Sequence, residues 1–149
     1  MTSPRVAYLN ARLLDPASGL DTHGALLIED GKIVDLGADL FKDGAPSVSK
    51  VVDCEGLCLA PGLIDGRVQL REPGEEHKET IETASRAAAA GGVTTMVALP
   101  NTTPVIDAVS VVEFMHRHAK EAGAVKVRCY GSVTRGTKGE QLTEMGLLA

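Results

Sequence analysis

The chain has 149 residues, 44% of them hydrophobic and 23% charged, a globular composition that excludes disorder for most of its length. Fifteen Lys plus Arg against 20 Asp plus Glu leave a net charge of −5 with no basic block, which excludes the electrostatic footprint of a nucleic-acid partner and disfavours anionic membranes. No apolar stretch approaches the roughly 20 residues needed to cross a bilayer, and Met1-Thr2-Ser3-Pro4-Arg5 lacks the apolar core of a signal peptide, so the expectation is a cytoplasmic chain with no membrane partner.

From Arg5 to Asp53 the pattern is short and β-like. RVAYL is followed by Leu13-Leu14 before Asp15-Pro16, then by ALLIED and KIVDLG, which meet at Asp30-Gly31. Asp-Gly between two apolar alternations predicts a tight hairpin, because a primed turn needs positive φ at both central residues. The stretch 41–50, with Gly44 and Pro46, reads as a surface loop before the short strand VVD. Residues 1–56 are therefore expected to form a small antiparallel, sandwich-like β-unit. Three cysteines, Cys54, Cys58 and Cys129, cannot all pair within one chain, and a domain of this size does not need staples. Cys54 and Cys58 could be half of a zinc site, but no second Cys/His pair has matching spacing and both lie in the apolar run VVDCEGLCLAPG. Packing is the favoured reading.

After Leu57 the period changes. LIDGRVQL predicts a buried strand, and Ile81, Ala84, Ser85 and Ala88 then fall on one helical face that Gly91-Gly92 would end. VTTMVALP predicts a second buried strand. Asp107 is the expected cap of a helix with the stripe Ala108, Val111, Val112, Met115, Ala119 and Ala122 and its stop at Gly123. VKVRCYGSV predicts a third strand, and GEQLTEMGLLA the start of a third helix.

This alternation is the grammar of a parallel α/β sheet with right-handed crossovers. An open three-layer sheet and a (β/α)8 barrel both accommodate it. A barrel takes about 250 residues, so residues 57–149 would supply its first three β/α repeats, and the expectation is an incomplete barrel in a fragment of a longer protein. With sheet edges unpaired, the isolated chain is expected to aggregate or to occur only with its remainder or a partner.

In parallel α/β architectures the site lies beyond the C-terminal strand ends. Strand alternation places Asp65, Arg67 and Gln69 on one face. The same strand ends in Leu70-Arg71-Glu72-Pro73-Gly74, and the next in Leu99-Pro100-Asn101-Thr102-Thr103-Pro104. Arg71 and Asn101 thus emerge on one rim. His116-Arg117-His118 cannot grip one ion from a helix, where i and i+2 lie about 200° apart, so these histidines are read as solvated. His77 could approach a substrate from the LREPG loop, or simply lie on the surface, and His23 has less claim still. Asp65 either lines the site wall or pairs with Arg67, the pair being preferred, and Glu72-Pro73-Gly74 is read as shaping its loop.

The stretch APGLIDGRVQLREPGEEHKETIETASRAAAAGGVTTMVALPNTTPVID, continued by GSVTRGTKGEQLTEMGLL, resembles the dihydroorotase branch of the amidohydrolase superfamily. LREPG followed by LPNTTP carries the likeness; similar allantoinases and hydantoinases differ around the second-strand end. The resemblance implies a TIM barrel preceded by a small β-unit, and an enzyme of pyrimidine synthesis that interconverts dihydroorotate and N-carbamoyl-aspartate with a zinc-bound hydroxide. It also implies that Arg71 and Asn101 hold the substrate carboxylate, a role suited to a planar donor fork and an amide N–H. The alternative for Arg71 is pairing with Glu72, Glu75 or Glu76 at the rim.

The chain departs from that family at the first strand, which ordinarily carries His-x-His where this sequence has Arg67-Val68-Gln69. A guanidinium has no lone pair to offer a metal, and Gln69 offers only a neutral oxygen. Arg67 and Gln69 are therefore vestigial metal-site positions, and no zinc and no catalytic residue is expected in this chain. The favoured reading is a member without metal chemistry, a pseudoenzyme; the resemblance implies that such members associate with aspartate carbamoyltransferase and support its assembly. The other reading is an active dihydroorotase using ligands from later strands.

Overall fold

The computed structural model describes residues 5–44 and 47–148, in two units divided after Pro61. Pro46 of the expected loop and Ala149 of the expected third helix lie outside the described residues.

The first unit is one mixed sheet, ordered β3-β2-β1-β4 with β5 also on β1. Its strands are β1 (Arg5–Asp15), β2 (Leu20–Glu29), β3 (Lys32–Gly37), β4 (Lys50–Asp53) and β5 (Cys58–Leu59). The two segments expected on either side of Asn10 are one strand, interrupted by a bulge. Tyr8 faces Leu26 while Ala11 faces Gly24, and Asn10 absorbs the extra residue at a φ of 54°. The Asp30-Gly31 hairpin forms as expected, with φ of 51° and 72° at its two central residues. The longer ladders are antiparallel, but β4 and β5 both run parallel to β1, a correction to a wholly antiparallel unit. Among the described residues of this unit, all five strands belong to one sheet. The unit also extends past residue 56, because β5 pairs with β1. Its core is Ala11, Leu13 and Leu26, against which Cys54 and Leu59 pack. Cys58 is exposed on β5, so packing holds for Cys54 and not for Cys58.

The second unit contains the parallel sheet β6-β7-β8, formed by β6 (Leu63–Val68), β7 (Val93–Ala98) and β8 (Lys126–Cys129). α1 (Ile81–Ala90) and α2 (Val109–Ala122) make the crossovers. Thr80 caps α1 through a reciprocal pair of bonds with Thr83. α2 starts differently from the expectation. Its cap position is Ala108, with no side-chain bond, because the Asp107 carboxylate instead accepts the Gly136 amide at 2.7 Å. Gly123 ends α2 in the left-handed region, at a φ of 64°.

Ile81 and Ala84 of α1, and Val111, Met115 and Ala119 of α2, bury the predicted stripes against Leu70, Met96, Ala98, Ile106 and Val127. Truncating Met115, 1% exposed, to Ala would cost about 2–5 kcal/mol by the usual sum of lost transfer energy and cavity. Cys129 packs at the margin of this core, and burial pushes its thiol pKa up. β6 is not the buried strand expected. It is an edge strand of the described sheet, and Leu63 and Ile64 are 61% and 71% exposed. The third helix is also shorter, only Met145–Leu148 (α3). Upstream of it, Gln141 accepts the Arg135 amide, Leu142 bridges Thr134, and the Thr143 hydroxyl donates to the Ser132 carbonyl at 2.7 Å, holding this segment out of a helix.

Candidate functional site

The parallel strands of the second unit end at one rim, where their last backbone bonds bind the outgoing loops together. Leu99 donates to the Val68 carbonyl at 2.8 Å and Tyr130 to the Ala98 carbonyl at 2.9 Å. The Tyr130 hydroxyl donates to the Gly66 carbonyl at 3.2 Å, reaching from the end of β8 to β6. The loops after β6 and β7 also touch. Thr103 donates its amide to the Pro73 carbonyl at 3.0 Å, and Gly74 lies so close to Thr103 that a Cβ there would sit 2.2 Å from its carbonyl oxygen. Gly74 also has a φ of +108°, so this position requires glycine twice over.

Val68 and Leu70 pack into the helix-side core, so strand alternation turns Arg67 and Gln69 to the opposite face. Both are exposed, as is Asp65. The expected ion pair of Asp65 with Arg67 does not form among the described residues. Asp65 instead accepts the backbone amide of Arg67 at 3.0 Å, folding back on its own strand because the amide lies within reach of so short a side chain.

Arg71 is half-buried at the end of this strand. Its Nη1 lies 3.2 Å from Glu75 Oε2, and its Nη2 donates to Gln69 Oε1 at 3.4 Å. Of the rim pairings the sequence leaves open, the Glu75 contact is therefore the one observed. Glu76 accepts the Gly74 amide at 2.8 Å, and Glu72 is buried elsewhere. Lys78 is the main cause, with Arg71 adding to it, of a Glu75 carboxyl held below the usual carboxylate range. A guanidinium has more N–H donors than these two contacts use, so Arg71 retains donors for a carboxylate. Asn101 is exposed at the start of the loop after β7, and His77 is exposed in the loop after β6.

These positions do not fit a metal ion. Arg67 is a permanent cation with no lone pair. Gln69 offers only a neutral oxygen, and that oxygen lies 3.4 Å from the Arg71 guanidinium, a second cation beside the position. Among the described residues no three His, Cys, Asp or Glu side chains come together as a metal-holding group.

Sequence reasoning missed one polar cluster behind the rim. Glu72 is 8% exposed. Its Oε2 accepts the amide of Ile81, the first residue of α1, at 2.7 Å, and its Oε1 lies 2.6 Å from His118 Nδ1. His118 is half-buried, and its ring centroid lies 3.9 Å from that of Phe114, one turn earlier on α2. His116 is exposed as expected; His118 is not the solvated histidine its helical position suggests. No local spacing signals this pair, since 46 residues separate its members.

A family model described as dihydro-orotase-like matches residues 56–149. The dihydroorotase of Wolbachia sp. subsp. Brugia malayi is 52% identical over 97% of this chain, and that of Ehrlichia chaffeensis 49% identical over 96%. The chain spans about a third of the length of these curated relatives, 32% in each case. Among solved structures, the L-hydantoinase (dihydropyrimidinase) of Arthrobacter aurescens superposes with a TM-score of 0.71 at 27% identity, covering 89% of this chain and 28% of that one. A D-hydantoinase superposes at 0.66 with 25% identity, covering 87% and 27%.

Proposed function

The chain belongs to the dihydroorotase-like family of the amidohydrolase superfamily and carries the N-terminal part of that TIM-barrel fold, and from this premise we propose that the protein serves pyrimidine biosynthesis without metal chemistry of its own. In this reading Arg71 and Asn101 bind the carboxylate of dihydroorotate or carbamoyl-aspartate. The protein as a whole then acts in the cytoplasm as a structural partner supporting assembly of aspartate carbamoyltransferase, as its resemblance to family members lacking the histidine pair implies.

The observation that carries this reading is the state of the first-strand positions, where a guanidinium stands at Arg67 and Gln69, a neutral amide, accepts a bond from Arg71 at 3.4 Å. The energetic deficit is large. Zinc lowers the pKa of bound water from about 15.7 to about 7, which at about 1.36 kcal/mol per unit amounts to about 12 kcal/mol of help in forming hydroxide. One hydrogen-bond donor to a developing oxyanion supplies about 3–4 kcal/mol, so Arg67 cannot stand in for the metal. What the remaining residues can do is bind and orient. Arg71 has donors to spare, and Asn101 follows the neighbouring strand.

A second reading, an active dihydroorotase, is favoured by relatives about half identical over nearly the whole chain that carry that name. Elemental analysis of the full-length protein, purified without chelator and assayed for dihydroorotate hydrolysis, separates the two. The proposal expects substoichiometric zinc and no metal-dependent turnover. Tightly held metal, with turnover lost on chelation and regained on adding zinc, would establish the active enzyme.

A further inference from the structure

We infer that Glu72 and His118 are positioning residues for the ligand-binding rim, a buried strut that sets which way Arg71 faces. The inference rests on the reading of Arg71 as the carboxylate-binding residue.

Arg71 and Glu72 are adjacent, and their side chains divide between two environments. Arg71 stays 36% exposed at the rim with Gln69 and Glu75, while Glu72 turns into the protein, 11% exposed at its side chain. A carboxylate goes into such a place only if its oxygens are bonded, since burying an unpaired charge is costly. Here each oxygen has a partner on a different helix: the first amide of α1 for one, His118 of α2 for the other. The first bond satisfies an amide that has no partner within its own helix, at the end where the helix dipole favours negative charge. The second is a short contact at 2.6 Å, and its imidazole is in turn fixed by Phe114. Both helices belong to the packed layer around Ile81 and Met115.

The residue after Arg71 is thereby tied to the packed helix layer of the unit. The backbone between Val68, whose carbonyl bonds Leu99, and Glu72 is held at both ends. Arg71 lies within that short span, so its guanidinium is presented to the rim rather than left to sample solvent, which lowers the ordering cost of gripping a ligand. Without the strut, Glu72 is free to turn outward and compete for Arg71.

The test uses the full-length protein with four variants, two for each end of the strut. Glu72→Gln keeps an acceptor for the Ile81 amide and a polar partner for His118, whereas Glu72→Ala keeps neither. His118→Asn places an amide near the Nδ1 position, whereas His118→Leu keeps bulk without a polar atom. Calorimetry with carbamoyl-aspartate reads binding, and crystal structures of the unliganded variants read the contacts of Arg71 with Gln69 and Glu75. We expect Glu72→Ala and His118→Leu to weaken binding by about tenfold, the equivalent of one charge-assisted bond, and to lose the two Arg71 contacts. Glu72→Gln and His118→Asn should recover both. A parent that binds no ligand, with Arg71 still released only in the Ala and Leu variants, keeps the strut and rejects the carboxylate-binding reading. Folded Ala and Leu variants with Arg71 contacts and affinity unchanged overturn the strut. So does equal damage from all four substitutions, which would mark a general packing role. If Glu72→Ala does not fold, the His118 pair decides.

Discussion

Alanine at position 74 should pry apart the two loops that hold Arg71 and Asn101. Gly74 has a φ of +108°, and a Cβ there would lie 2.2 Å from the Thr103 carbonyl oxygen and 2.6 Å from the Thr103 Cβ. A side chain in that backbone region costs about 1–3 kcal/mol. Forcing packed neighbours aside adds about 1–3 kcal/mol. Neither atom met first is a flexible side-chain end, so the loop after β7 must move as backbone. Allowing for partial relaxation, Gly74→Ala should destabilise the loop junction by about 2–4 kcal/mol. The bond that reports this is the Thr103 amide to the Pro73 carbonyl, 3.0 Å long. Amide exchange at Thr103 in the full-length protein should accelerate by about 30- to 1,000-fold, the same free energy expressed as an opening equilibrium. Exchange at Leu99, whose amide bonds Val68 just past the end of β7, should hardly change. Thr103 protection within about threefold of the parent would refute the reasoning, because the close approach would then be removed at negligible cost.

Arg71→Ala should weaken carbamoyl-aspartate binding by about 1.5–3 kcal/mol, the range for a hydrogen bond to a charged group; calorimetry returning an unchanged constant would remove Arg71 from the cradle. Ser85→Ala should stabilise the protein by about 1 kcal/mol, because Ser85 is fully buried with an unpartnered Oγ and alanine is the better helix former. A lower denaturation midpoint for that variant would contradict it. The pair of Arg12 and Asp21, bonded at 2.8 and 2.6 Å, holds the Asp21 carboxyl below the usual carboxylate range. Its stabilisation is present above that usual range and is lost as pH falls through the depressed folded-state value. Thermal melts against pH should therefore show a shallower acid limb for Asp21→Asn than for the parent, with the two converging at the acid end; parallel limbs would count against the assignment.

Local patterns in the sequence determined the elements. The shift from alternating apolar residues to helical stripes separated the β-unit from the β/α repeats, and Asp30-Gly31 and Gly123 marked turns whose positive φ the structure contains. LREPG and LPNTTP were enough to indicate the rim and the family resemblance, and Arg67 and Gln69 could be recognised as unsuited to metal from side-chain chemistry alone. Pairings between distant segments were not legible. The bulge at Asn10, the parallel docking of β4 and β5, and the loss of helix over 139–144 depend on bonds to segments elsewhere in the chain. The same is true of Asp107, diverted from its expected cap by an amide 29 residues away, and of Glu72, whose partners lie 9 and 46 residues along. Periodicity reports which face of an element is apolar. It carries no information about which buried carboxylate meets which amide or imidazole, because that choice is made only when helices and loops pack closely enough to exclude water and every buried polar group must find a partner.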